Sequence, residues 1–521
     1  MEYPTINDLP NKLLEIIFDH LGVVDLKNAS MVCRRWSDLA FLGRRMDRVM
    51  LVPQFPWDKA LLQSNRKYCH LELRETEKCS AYLKELFQTF SVSSLRLKHG
   101  NLSHSVLRSI LLDVPNLQHL TIDNIPGQMN KMVEPLPIMR KLEHLENHSI
   151  NSDSALPWYT IAPSLQGLKM CCDYEDQLEQ WRLFSGQLKQ VYASFGFQQN
   201  LLDRFCDMTF PLLEELSIKS ALFEGSFGAE NSFQRHEFFR RNASLRRLRL
   251  DGIYLDKTLV QDITNYNKKL MTLEIIGEHN LDREYEDNGE QGSLDSLAQL
   301  TELKHLRLQN LPTCIFRERE ALTSLQSLYM NEITFGYDGL LGFLRDLFEI
   351  APQLKCLEVG SVVMAENAAQ YICNNFKKLT RLHLTYSEKV TRDGLSGIDR
   401  LPFLWYLELR FFAVHTLFIS IIPLKKVRYL TLHLKYLYNE DELLRLPEIF
   451  PQLDRLNLIN SGKFLHESTV DKLRQLLPTC AIKIYGQLIT NAGVQKCFPK
   501  WTGSEMMPVW EKEWVFKNRI D

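Results

Sequence analysis

The sequence lacks the hallmarks of membrane and secreted proteins. Its most apolar stretch, residues 411–424, is interrupted by His415 and Thr416 and is shorter than the roughly 20 residues that cross a bilayer. The N-terminal residues Met1–Thr5 show no basic segment followed by an apolar run, so no secretory signal is predicted. We therefore expect a cytoplasmic or nuclear protein, or one found in both places, that has no membrane partner.

The cysteines are irregularly placed. The 521 residues include 11 cysteines, an odd number without any C-x-x-C pair. This usage is typical of reduced thiols, and it does not favour a disulfide framework or a structural zinc site. The sequence therefore predicts neither a metal nor a cofactor.

Short catalytic motifs are also missing. No G-x-x-x-x-G-K-[ST] or G-x-G-x-x-G segment is present to hold phosphates. The pairs beginning at His236 and His466 start like the helix of a zinc protease, but Arg240 and Val470 stand where the second histidine is required. We expect no catalytic residues and a protein that is not an enzyme. A hydrolase assembled from distant residues is the least favoured interpretation.

Charge of one sign does not dominate the chain. The 62 lysines and arginines nearly balance the 64 aspartates and glutamates, which gives a formal net charge of −2. A single basic cluster, residues 240–249, is too local to indicate a nucleic-acid surface. No nucleic-acid partner is predicted.

Leucine, in contrast, is abundant. The sequence contains 86 leucines, about one residue in six, and the pattern L-x-x-L-x-[LI] or a looser copy of it recurs at intervals of 22 to 33 residues. Fifteen copies begin at positions 92, 117, 142, 165, 188, 213, 245, 270, 303, 325, 354, 379, 404, 427 and 453. Each copy predicts a short strand with leucines on one face, and helically spaced apolar residues follow several of them, as in 107–111 and 340–347. One such unit cannot bury its leucines alone, so the units must stack.

The N-terminal segment has a different pattern. In residues 8–40, Pro10 suits a first helical turn, and apolar residues at helical spacing continue to Leu21. A second short helix is predicted from about Asp25, and a third carries Val32 to Leu39. Three short helices bury few large apolar side chains by themselves, so we expect a docked partner.

These two patterns resemble two known families. The repeats of residues 68–485 are similar to leucine-rich repeats, and the order Leu9-Pro10, Asp25-Leu26 and Val32-Cys33-Arg34-Arg35-Trp36 resembles an F-box. The resemblance implies an α/β fold: a leucine-rich repeat solenoid of horseshoe form, with a parallel inner sheet and outer helices, after a small three-helix F-box. The predicted boundaries are 4–45 for the F-box, 46–67 for a linker or first cap, 68–485 for the repeats and 486–521 for a C-terminal cap or tail.

The resemblance also implies a function. F-box proteins with leucine-rich repeats are substrate receptors of SCF-type cullin–RING ubiquitin ligases, in which other subunits perform the chemistry. The implied partners are a Skp-family adaptor, through it the cullin and RING subunits, and an unknown protein substrate that is marked for proteasomal degradation. A repeat scaffold without ubiquitin transfer is the alternative. The residues that match the F-box motif, and are thereby predicted to bind the adaptor, are Leu9, Pro10, Leu13, Ile16, Leu21, Leu26, Val32, Cys33 and Trp36.

Strand alternation predicts where a substrate binds. The residues between the repeat leucines point away from the leucine core, and from position 303 onward they mix arginine, tyrosine and histidine, which are common at binding hot spots. We expect them to hold a segment of the substrate that carries acidic or phosphorylated groups. The predicted substrate-binding residues are Arg307, Tyr329, Arg381, His383, Tyr406, Arg410, Tyr429 and Arg455.

Overall fold

The chain forms two compact units, with the boundary between Leu213 and Glu214. The computed structural model describes residues 5–54, 59–64, 66–74, 76–98, 102–123, 134–148, 156–196, 199–220, 232–252, 257–277, 292–311, 314–315, 321–333, 339–360, 366–385, 397–410, 423–433, 440–490 and 493–497. The sequence also indicates an acidic insertion at 278–290 and a loop at 223–228, which lie outside the described residues, and a tryptophan-rich tail from Gln487, of which residues 487–490 and 493–497 are described.

The first unit begins with helices and continues with alternating strands and helices. Its helices are α1 (Asn11–Asp19), α2 (Val23–Ser30), α3 (Arg34–Ala40), α4 (Lys59–Leu62), α5 (Thr76–Thr89), α6 (His104–Asp113), α7 (Trp158–Ile161), α8 (Glu175–Phe184) and α9 (Gln199–Cys206). Its strands are β1 (Met50–Leu51), β2 (His70–Arg74), β3 (Ser94–Lys98), β4 (His119–Ile122), β5 (His144–Asn147), β6 (Gly167–Cys171) and β7 (Gln190–Phe195). Short 3-10 helices cover Ile6–Asp8 and Gly43–Arg48.

The second unit repeats the alternation. Its strands are β8 (Glu215–Ser220), β9 (Arg247–Asp251), β10 (Thr272–Ile276), β11 (Gly292–Ser293), β12 (His305–Leu311), β13 (Cys314–Ile315), β14 (Ser327–Ile333), β15 (Cys356–Gly360), β16 (Arg381–Thr385), β17 (Tyr406–Arg410), β18 (Tyr429–His433), β19 (Arg455–His466), β20 (Ala481–Thr490) and β21 (Gly493–Cys497). Its helices are α10 (Ser232–Arg241), α11 (Lys257–Tyr266), α12 (Gly339–Ile350), α13 (Glu366–Asn375), α14 (Leu446–Ile449) and α15 (Glu467–Leu476), with 3-10 helices at Asp295–Gln299, Ile398–Arg400 and Glu440–Arg445.

The fifteen leucine repeats coincide with fifteen strands. In every case the strand starts two residues after the first leucine or valine of the repeat, as at 117 and β4 or at 404 and β17. Among these fifteen strands, the neighbours within one unit pair in parallel without a shift, so that Leu382, Leu407 and Leu430 are direct register partners. The sequence prediction of stacked parallel strands is confirmed.

Leucines and their neighbours form the core between the sheet and the helices. The strand leucines of β9 and β16 are completely buried, and so are most of the inward residues of α6 and α12. Full burial of one such side chain contributes about 1.5–3 kcal/mol. In the described part of the chain, no helix is long and apolar enough to cross a membrane.

Four features were not predicted from the sequence. The short strand β1 pairs with β2, the pair β11 and β13 forms a separate two-stranded sheet, and β21 runs antiparallel to β20. In the repeats that contain Asp295–Gln299 and Ile398–Arg400, a 3-10 helix stands where an α-helix would be expected. These segments are too short for a periodic apolar pattern, so hydrophobic spacing alone gives no signal.

The N-terminal helices pack continuously onto the first repeat. Phe18 and Leu39 belong to a buried cluster that also contacts Val49 and Tyr68, which lie beyond the third helix. Tyr68 in turn meets Phe90 edge to face, with ring centroids 5.3 Å apart. Helical and repeat parts of the first unit therefore share one apolar contact zone.

Two leucines of α8 test the division between core and surface. Leu178 is 1% exposed and Leu183 is 50% exposed. Replacing Leu178 by Ala leaves a cavity and is expected to cost about 2–5 kcal/mol, whereas Leu183→Ala is expected to change stability by less than about 0.5 kcal/mol. Urea unfolding followed by circular dichroism measures both. Equal effects of the two substitutions would contradict the packing described for this helix.

Candidate functional site

Helix α1 divides its apolar residues between core and solvent. Leu14 and Phe18 are buried, and Phe18 packs edge to face on Trp36 with ring centroids 5.3 Å apart. Leu13 and Ile16, which lie on the other side of the helix, are 46% and 55% exposed. Large apolar side chains that remain open on a short helix are the signature of an unpartnered interaction surface.

The turn between α2 and α3 adds to this exposed apolar area. Met31 and Val32 are 69% and 58% exposed, and Cys33, the N-cap residue of α3, is also exposed. Leu26, one turn earlier on α2, is fully buried in the cluster of Leu14 and Phe18. Its position is that of a residue that holds the helices together, and we assign it to the core instead of the exposed surface.

Three arginines fix the arrangement of the helices. Arg35 donates to the side-chain oxygen of Asn11 at 2.8 Å and to the carbonyl oxygens of Asn7 and Leu9. The buried Arg45 donates to the carbonyl oxygen of Glu15 at 3.1 Å and pairs with Asp19 at 2.6 Å. Arg48 donates to the carbonyl oxygens of Asp19, at 3.3 Å, and of Leu21, at the C-terminal end of α1. The last carbonyl groups of a helix have no partner within the helix, and a cation beside them also favours the helix dipole.

The nine residues predicted to bind an adaptor thus occupy three environments. Pro10, Leu13, Ile16, Val32 and Cys33 are exposed. Leu9, Leu21 and Trp36 are partly buried and pack against the core, and Leu26 is buried. The sequence did not single out Met31, although it directly precedes Val32, because a turn residue has no place in a helical pattern.

The predicted substrate residues lie on strands β12 to β19 of the second unit, in aligned rows. One row contains Arg381, Tyr406, Tyr429 and Arg455, each a register partner of the next. A second row contains Arg307, Tyr329, Glu358, His383, Glu408 and Thr431. Parallel pairing without shifts therefore brings together residues that are separated by 22 to 29 positions in the sequence.

Glu408 is the centre of the second row. Its carboxylate accepts hydrogen bonds from the Tyr406 hydroxyl at 2.9 Å and from Arg410 Nε at 3.1 Å, and His433 Nε2 lies 3.0 Å away. Burial alone would raise the pKa of Glu408, but the histidine and arginine neighbours outweigh it and lower the pKa. Burial and the adjacent carboxylate raise the pKa of Tyr406, so its hydroxyl remains a donor.

Arginines lie over aromatic rings along the first row. The Arg381 guanidinium is 5.2 Å from the ring centroids of both Trp405 and Tyr406, and Arg455 is 5.7 Å from that of Tyr429. Trp405 and Tyr429 meet edge to face at 5.2 Å. Among the described residues, no carboxylate lies within ion-pair distance of Arg381 or Arg455. The pair thus offers positive charge on an aromatic platform. We call these five residues the arginine–aromatic cluster.

Burial separates the predicted residues into two groups. Tyr329 and His383 are only 7% and 5% exposed, since their row is shielded, and they are placed better to support the surface than to form it. Arg381, Tyr406, Arg410 and Tyr429 are half-buried, and Arg455 is exposed. Arg307 lies 4.3 Å over the ring of Tyr329, apart from the cluster. Sequence alternation missed Trp405 because it precedes the strand and falls outside the alternating positions.

The N-terminal helices match a known protein family. The model of the F-box domain family matches residues 6–41. Residues 6–41 form an F-box domain. The match covers α1, α2 and α3, including every residue that the sequence resemblance had singled out in them, and the predicted F-box is confirmed.

Comparison with solved structures found a weak similarity of fold. A solved structure titled "Crystal structure of TLR13-ssRNA13 complex" is similar at 13% sequence identity and a TM-score of 0.38 over 84% of this chain. The chain spans 62% of the length of that protein. No curated protein matches the sequence. The F-box followed by parallel strands with helices, as described above, has the architecture of an F-box plus leucine-rich repeat solenoid.

The ionisation of Glu408 predicts that the stability of the fold depends on pH. Because its pKa is lowered in the folded state, ionised Glu408 stabilises the fold above its unfolded pKa of about 4.3, and the stabilisation is lost as pH falls below that value. Glu408→Gln is expected to cost about 3 kcal/mol at pH 7, since it leaves Arg410 without its partner. The difference from the unmodified protein should shrink as pH falls below about 4.

Urea unfolding at several pH values measures this dependence. The matched control is Glu448→Gln, because the Glu448 side chain is 66% exposed and its ion pair with Arg445 is on the surface. That substitution should change stability by less than about 1 kcal/mol. A Glu408→Gln effect that is constant between pH 7 and pH 3.5 would contradict the described network.

Proposed function

We propose that the protein is the substrate-recognition subunit of an SCF-type ubiquitin ligase. The F-box binds a Skp-family adaptor, which connects it to the cullin and RING subunits, and the repeats bind a protein substrate. The observation that carries this proposal is the exposure of Leu13, Ile16 and Val32 on helices that match the F-box family. The protein itself supplies binding and position, and the transfer of ubiquitin belongs to other subunits.

Exposed apolar side chains provide the driving force for adaptor binding. Burial of apolar surface contributes about 25 cal/mol per Å², and the arginines Arg35, Arg45 and Arg48 hold the helices rigid before the partner arrives. A rigid surface loses little conformational entropy on binding. The F-box is therefore prepared for docking in the free protein.

Ile16 and Val32 test the adaptor surface directly. Because both side chains are open to solvent, Ile16→Arg and Val32→Arg are expected to leave the fold intact and to weaken adaptor binding by at least about 30-fold each, as charges enter an apolar interface. Calorimetry with a purified Skp-family adaptor measures the dissociation constant.

Leu112→Arg is the matched control for these substitutions. Leu112 is 50% exposed and lies on α6 of the repeats, so this change adds the same charge in a similar setting outside the F-box. Adaptor binding that survives both F-box substitutions would refute the proposed surface. An adaptor complex that fails to recruit the cullin would instead favour the scaffold without ubiquitin transfer.

Support for the substrate surface comes from the arginine–aromatic cluster. Glu358 and Glu408 are the carboxylates of the neighbouring row, and both are engaged by His383, while Glu408 also pairs with Arg410. Arg381 and Arg455 remain available to a ligand. A flat ring beside a guanidinium suits a peptide segment that carries a carboxylate or phosphate, since arginine binds such groups through two parallel hydrogen bonds.

Charge-removing substitutions test this preference. Arg381→Gln and Arg455→Gln together are expected to weaken binding of acidic or phosphorylated peptides by about 10-fold or more, and Arg381→Lys to restore only part of it, because lysine lacks the planar fork. The measurement is fluorescence anisotropy on a peptide set in which each anionic member has a neutral counterpart.

Arg474→Gln is the control for the loss of positive charge. Arg474 lies on α15 and pairs with Asp471 at 2.9 Å, so its replacement removes one charge outside the strand face and should leave peptide binding unchanged. Equal binding of anionic and neutral peptides, or equal loss in all arginine variants, would exclude specific recognition by the cluster. The substrate would then bind elsewhere, while the adaptor function could persist.

A further inference from the structure

A group of three possible metal ligands lies where the F-box meets the first repeat. Asp47 belongs to the 3-10 helix that follows α3, Cys69 precedes β2, and His70 is the first residue of β2. One ligand atom of each residue, a carboxylate oxygen, the thiol sulphur and a ring nitrogen, lies within 4.8 Å of the other two. All three residues belong to the first unit.

The separations are close to those of a metal site. The Cys69 sulphur is 3.7 Å from Asp47 Oδ1. In a tetrahedral zinc site, bond lengths of about 2.0–2.3 Å place neighbouring ligand atoms about 3.3–3.6 Å apart. The separation of Cys69 and Asp47 is thus within a few tenths of an ångström of that geometry, and the separations from His70 do not exceed 4.8 Å.

An independent observation comes from His70. The residue is 8% exposed, and its Nδ1 atom is buried and has no hydrogen-bond partner among the described residues. A buried polar atom without a partner costs free energy that a metal bond would recover. The Cys69 thiol and the Asp47 carboxylate each have a possible ligand atom within 4.8 Å of a nitrogen of this ring.

We propose that Asp47, Cys69 and His70 bind a zinc ion that joins the F-box to the first repeat strand. Thiolate and imidazole ligands select zinc over calcium and magnesium, which prefer oxygen ligands only. On binding, the Cys69 thiol loses one proton to solvent and its sulphur forms a bond to the metal. The three residues leave a fourth tetrahedral position for water or another ligand.

At this position, a bound ion would link the F-box to the repeats. It closes the chain between Asp47 and Cys69, which are 22 residues apart, beside the point where Met50 of β1 pairs with His70 of β2. The metal would thus strengthen the attachment of the F-box to the repeats. This proposal does not depend on the ubiquitin-ligase function, because the ligands lie outside residues 6–41 and outside the arginine–aromatic cluster.

Cobalt titration of the untagged full-length protein is the decisive experiment. We expect one Co²⁺ per chain, an intense near-ultraviolet absorption from the bond between thiolate and cobalt, and loss of that absorption when Zn²⁺ displaces Co²⁺. Because this measurement needs no substitution, a misfolded variant cannot obscure it. Absence of saturable Co²⁺ binding with a thiolate band would overturn the proposal and leave a simple hydrogen bond from Cys69 to Asp47.

Substitutions then assign the ligands. Cys69→Ser should abolish the thiolate band, and His70→Gln and Asp47→Asn should each weaken Zn²⁺ binding by at least about 10-fold, since even outer-shell changes cost 10–100-fold. The control is Cys480→Ser, because Cys480 is a half-buried thiol whose neighbouring acid is Asp454. A band that persists in Cys69→Ser, or disappears in Cys480→Ser, would rule out the assigned site. Thermal unfolding with Zn²⁺ should show a stabilisation that Cys69→Ser lacks.

Discussion

The structure depends on the burial of leucine between neighbouring repeats. A strand of four to seven residues with one apolar face is unstable alone, and the cost of ordering its backbone, about 1–2 kcal/mol per residue, is offset only when the next strand and helix cover that face. This requirement forces each strand to begin at the same distance from its repeat start. Leucines of adjacent repeats therefore become register partners, as Leu407 and Leu430 are.

The same register determines the chemistry of the opposite face. Because strands pair without shifts, every residue between leucines has fixed neighbours on both sides, and its charge must be compatible with theirs. Glu408 between His383 and Thr431 illustrates the rule, since its charge is stabilised by the adjacent histidine and by Arg410 of its own strand. Arg381 faces Tyr406 instead, and no carboxylate in the described part of the chain forms an ion pair with it. The order of the strands thus determines which charged residues of this face lie beside a residue of opposite charge.

The periodicity of the sequence was sufficient to predict the strands of the repeats, but it was not sufficient to predict the contacts within the candidate sites. All fifteen strands followed from leucine spacing because that spacing is the direct cause of the fold. Contacts such as that of Glu408 with His433 join residues 25 positions apart and depend on which strands are neighbours in register.

The solvent exposure of individual side chains could not be predicted from the sequence either. Leu13 and Leu14 are chemically identical neighbours, yet only the three-dimensional packing of α1 places one in solvent and the other in the core. The same holds for Tyr329 and His383 on the strands. Alternation along a strand predicts to which side of the sheet a side chain points, but it does not predict how far that side chain is buried.

The described residues at the boundary between the F-box and the repeats make several packing contacts. Val49 and Tyr68 pack against the F-box core, β1 pairs with β2, and the Arg66 guanidinium lies 4.2 Å from the ring centroid of Phe41.

Removal of the helices would expose Tyr68 and its neighbour Phe90, which creates new apolar surface. Such a truncation would disturb the first repeat together with the F-box, and its effects could not be attributed to the loss of the proposed adaptor surface alone. Since Ile16 and Val32 are exposed while Leu26 and Phe18 hold the shared core, binding and folding can be separated only by substitutions at exposed positions. The junction that complicates truncation is also what gives the F-box a defined position on the first repeat.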